Sequence, residues 1–94
     1  MARRIKYKPM IIEIRSDEVD VEEDVVRVPV ELRSEGYTCT VDVVVDRESD
    51  RFEMSIERVE GTCPPLSIPS LMDDREFRRK IRDLVRRVEG EELY

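Results

Sequence analysis

The chain has 94 residues, 43% of them charged and 5% aromatic, and its 17 basic against 23 acidic side chains leave a net charge of −6. That is the length of one domain, without a run of about 20 apolar residues to cross a membrane and without an apolar stretch behind Met1-Ala2-Arg3-Arg4 to act as a secretory signal. His is missing, which removes the usual general base, every His-based triad and the commonest metal ligand.

Asn, Gln and Trp are missing too, and 14 of the 17 basic residues are Arg. Amides deamidate when hot, and ordinary chains carry about 25% charge. The composition is therefore expected of a thermophile, an archaeal one, with a cytoplasmic location; a GC-rich genome is the other source of such a bias. Disorder is not expected, because 13 Val and other apolar residues recur at regular spacings.

The first predicted strand covers residues 3–15, RRIKYKPMIIEIR. Ile5 and Tyr7 alternate with basic residues, and after Pro9 the phase passes to Met10, Ile12 and Ile14, as at an edge strand with a bulge. Residues 16–24 hold Asp17, Glu18, Asp20, Glu22, Glu23 and Asp24, and read as a solvated loop. Over 25–33, Val26, Val28, Val30 and Leu32 face one way and Arg27, Pro29, Glu31 and Arg33 the other; Pro29 asks for an edge or a bulge. A turn at Ser34-Glu35-Gly36 leads into 37–46, where Tyr37, Cys39, Val41, Val43 and Val45 are in phase. After Arg47-Glu48-Ser49-Asp50, the positions Phe52, Met54 and Ile56 alternate until the phase fails near Arg58-Val59.

Pro64, Pro65 and Pro69 predict an extended connector. Ser70 is the expected N-cap of a helix, and replacing it by Ala is expected to cost about 1 kcal/mol. Phe77, Ile81, Leu84, Val85 and Val88 then fill an arc of about 100°, and Gly90 is a natural stop, with a frayed tail behind it. The reading is an α+β fold of two layers: a four-stranded antiparallel meander with one C-terminal helix across one face, β-β-β-β-α. Residues 1–94 form a single domain, with sheet over 3–60, a Pro-rich connector over 61–69 and helix over 70–90.

Arg75, Arg79, Arg82 and Arg86, with Arg78 beside them, line the helix face opposite the apolar stripe. The preferred reading is a solvated face stapled by Glu76–Lys80, Arg79–Asp83 and Asp83–Arg87. The alternative is a polyanion site that adds Arg3, Arg4, Lys6 and Lys8. The acidic loop has no Gly at the position a Ca²⁺ loop needs, so no metal site is expected. Ser and Cys lack a His base, and no glycine-rich loop cradles phosphate, so neither catalytic residues nor a cofactor are expected; a carboxylate-based hydrolase is the remote alternative. Cys39 and Cys63 form no CxxC pair and are expected to be small buried apolar groups, with a disulfide of the kind hyperthermophiles carry as the alternative.

The element order resembles that of single repeats of the PUR and Whirly families and of a family of transcriptional coactivators, whose domains pair and bind single-stranded nucleic acid. No motif of theirs is matched, so no residue role carries over. The expected function is a small non-enzymatic domain that binds protein, most simply as a homodimer joined at its sheet edges. The alternative is single-stranded nucleic-acid binding through the Arg-rich helix face and basic first strand.

Overall fold

The computed structural model describes residues 10–92. Among these residues, five strands form one antiparallel sheet: β1 (Ile11–Ile14), β2 (Asp20–Val21), β3 (Val25–Ser34), β4 (Tyr37–Asp46) and β5 (Met54–Thr62). The spatial order is β1-β3-β4-β5, with β2 also paired to β3. Two helices follow, α1 (Ser67–Asp73) and α2 (Arg75–Glu92). The α+β class and antiparallel sheet are as expected; the numbers of strands and helices are not.

The extra strand comes from a break in the first edge. Ile14 pairs with Val30 and Asp20 pairs with Arg27, so five residues on the edge oppose two on β3. The surplus coils into a 3-10 turn at Ser16–Glu18. Pro29 lies opposite this break. Its carbonyl accepts the Arg15 N–H at 2.9 Å, so its nitrogen faces the same interrupted edge, where no ladder bond is lost. Thus Pro29 sits in an interior strand yet still has the irregular neighbour it requires. The basic half of the predicted first strand, with Pro9 and its phase change, lies outside the described residues, as does the end of the tail.

The loss of phase at Arg58-Val59 is a bulge. Asp42 pairs with Glu57 and Thr40 with Glu60, so Arg58 and Val59 share the place opposite Val41. Arg58 adopts φ +54°. The strand then continues to Thr62, through residues read as connector. Gly61 is needed there: at φ +87°, a Cβ would stand 2.5 Å from the Thr38 carbonyl oxygen.

The prolines also permit more helix than expected. Pro69 lies in the first turn of α1, where its missing N–H would have had no partner. A break at Asp74 then starts α2 afresh. Asp74 is extended (φ −76°, ψ 117°), and its Oδ1 accepts the N–H groups of Glu76 at 2.9 Å and Phe77 at 3.1 Å. The N-cap is therefore Asp74 and not Ser70, which is exposed within α1.

The core lies between one sheet face and the helices. Val26, Val28, Val30 and Leu32 of β3 and Val41 and Val43 of β4 are fully buried, and Leu71, Phe77, Ile81, Leu84 and Val85 meet them from α1 and α2. Each such side chain contributes roughly 1.5–3 kcal/mol on leaving water. Cys39 and Cys63 form a disulfide with a Cα–Cα distance of 4.8 Å, which corrects the expectation of free thiols. The alternating strands fix the reason: Cys39 opposes Gly61, and Cys63 stands just past the end of β5.

Candidate functional site

The side chains free to act lie outside this core. On α2, Arg75, Arg79, Arg82 and Arg86 are exposed on one face. The row is about 16 Å long at 1.5 Å per residue. Arg82 leans on the Phe52 ring, its guanidinium carbon 5.0 Å from the centroid. Arg78 reaches the same ring at 5.6 Å and donates to the carbonyls of Met72 and Phe52, so its role is to fix the helix to the β4–β5 hairpin. The stapled face is present only in part. Glu76 and Lys80 pair at 3.6 Å, but Asp83 pairs with neither Arg79 nor Arg87. Among the described residues, Arg75, Arg79 and Arg86 have no ion-pair partner. Arg3, Arg4, Lys6 and Lys8, the rest of the predicted polyanion set, lie outside the described residues.

The outer sheet face is built differently, from ion pairs that cross strands. Arg27 donates Nη1 to Glu57 at 2.6 Å, spanning β4 to do so, and Nε to Glu22 just past β2. Its register partner Val44 is only 6% exposed although the strand alternation points it away from the core. These bonds, that from Glu57 first, raise the Arg27 pKa above its ordinary value. Arg15 donates to Glu31 at 3.1 Å across β1 and β3. That bond is the main reason the Glu31 carboxyl titrates below the ordinary range, and it raises Arg15 in turn. Both links escaped the sequence reading because they join residues 16 and 30 positions apart.

Between this face and the hairpin lies a concave basin of about 660 Å³. Asp24, Asp46, Glu48 and Glu53 line it, and among the described residues none of these four is in an ion pair. Phe52 and Arg78 form the wall toward α2. The acidic loop has been partly absorbed into structure, since Glu18 and Glu22 face Arg15 and Arg27. Among the described residues, no group of three or more acidic or Cys side chains is placed to hold a metal ion, and no helix is long and apolar enough to cross a membrane.

Charge is thus segregated. Residues 10–66 carry 16 carboxylates against six guanidinium groups, a net −10, whereas residues 75–90 carry seven bases against three acids. Compared with protein-family models, curated proteins and solved structures, the chain matches none.

Proposed function

We propose that this chain is a non-enzymatic protein-interaction domain, working in the cytoplasm of a thermophilic archaeon, and that the Arg row of α2 is its contact surface for carboxylate-rich protein. The observation that carries this reading is that Arg75, Arg79 and Arg86 of the row have no ion-pair partner among the described residues. Asp83 stands at pairing distance in sequence from both Arg79 and Arg87, yet pairs with neither. Guanidinium forks left open in this way suit bidentate capture of carboxylates. The Cys39–Cys63 disulfide fits a cytoplasmic setting in a hyperthermophile, whose intracellular proteins carry such bonds.

Single-stranded nucleic acid is the second reading, favoured by the same cationic row. Against it stand the acidic basin beside the row and the outer sheet face, where Thr40, Asp42, Ser55 and Glu57 offer no ring for a base to stack on. Fluorescence anisotropy separates the two. At about 50 mM salt, where exposed charges are weakly screened, labelled polyglutamate binds the wild-type chain and is lost to Arg79→Glu/Arg86→Glu, while a labelled single-stranded oligonucleotide does not bind. Tighter, salt-sensitive binding of the oligonucleotide would transfer the row to nucleic acid.

A further inference from the structure

The row and the basin share a wall. Phe52 lines the basin and also seats Arg82, and Arg78 lies on the basin side of the same ring. Two surfaces of opposite charge therefore adjoin along one side of the molecule, and among the described residues Arg75, Arg79 and Arg86 of the one and Asp24, Asp46, Glu48 and Glu53 of the other are in no ion pair. Building on the reading above, we propose that the acidic surface met by the Arg row is the basin of a second copy of this chain, in a closed two-fold dimer.

Symmetry supplies the reason. A two-fold axis between copies places each row over the other copy's basin, so the same contact forms twice and leaves neither charged patch uncovered. A heterologous protein would have to match the row while avoiding the adjacent carboxylates; a second copy brings the complement of both. The sheet edges are poorer joining sites than the sequence suggests. One is interrupted between Ile14 and Asp20, and the other carries the bulge at Arg58 and Val59. Phe52, half-buried between two guanidinium groups, gives the contact an apolar centre inside a charged rim.

The test uses the full chain in size-exclusion chromatography with light scattering, at tens of micromolar protein. At about 50 mM salt the mass is twice the 11.1 kDa of the protomer, and raising salt to about 500 mM weakens association about tenfold or more. Reversing the row (Arg79→Glu with Arg86→Glu) or the basin (Glu48→Arg with Glu53→Arg) yields a monomer. Mixing the two reversed chains restores a dimer containing one of each, because both contacts again join opposite charges.

A wild-type monomer overturns the proposal, as does a mixture of reversed chains that stays monomeric. Growth beyond two protomers overturns the closed two-fold. Polyglutamate binds the basin-reversed chain, whose row is unoccupied, more tightly than the wild type, where it must displace the second copy, and that comparison separates this idea from the one beneath it. A monomeric wild type together with bound polyglutamate removes the second copy but keeps the acidic partner. A monomeric wild type with none bound removes both.

Discussion

The Asp74 carboxylate accepts two backbone N–H groups at the start of α2, and its charge sits where the helix dipole favours an anion. Removing it should cost about 1 kcal/mol, whereas Ser70, with no capping bond, should be replaceable by Ala within about 0.5 kcal/mol. Urea unfolding of Asp74→Ala and Ser70→Ala measures both; equal losses would show the cap is misplaced. A second residue-scale prediction concerns Glu31. Its carboxyl is held low chiefly by the Arg15 hydrogen bond, so its stabilising effect is complete above the pKa of an unfolded glutamate. That effect fades as pH falls through the ordinary carboxylate range toward the lower folded value. Unfolding midpoints of Glu31→Gln should therefore decline less steeply with acid than those of the wild type. Parallel acid limbs would show that the Arg15–Glu31 bond does not persist in solution.

Among the elements, β4 carries the most structure, since it pairs with β3 and β5 and is joined by Cys39 to the start of the connector. The disulfide closes a loop over a sequence separation of 24. Loop-closure entropy for that length corresponds to about 3.5 kcal/mol. Reduction should thus lower the unfolding free energy by about that amount while leaving the fold in place, because Cys39 remains a small buried apolar group. Denaturant curves with and without a phosphine reductant, read by far-ultraviolet circular dichroism, test this. Unchanged midpoints would mean that the reduced unfolded chain is as constrained as the oxidised one.

At the scale of the whole molecule, what the sequence makes legible is set by periodicity. Ten residues of β3 and ten of β4 alternate with period two, and the Phe77–Val88 stripe holds the helical period over about three turns, so sheet, helix and shared core can be read directly. Short elements cannot. β2 is two residues long and lies inside an acidic run whose composition alone reads as loop. α1 is hidden because a proline in a helix's first turn looks in sequence like one that forbids a helix. The disulfide depends on strand register, which two isolated Cys do not reveal. The Arg row was visible as a spacing, but its openness was not. Whether Asp83 pairs with Arg79 depends on how long side chains settle in water, and i,i+4 spacing only permits the bond.

The cross-link between Cys39 and Cys63 brackets the hairpin that joins β4 to β5, and Arg47 and Arg51 lie in that hairpin. A trypsin cut at either arginine divides the polypeptide without releasing a fragment. The severed halves migrate as one band until a reductant is added, and then as two.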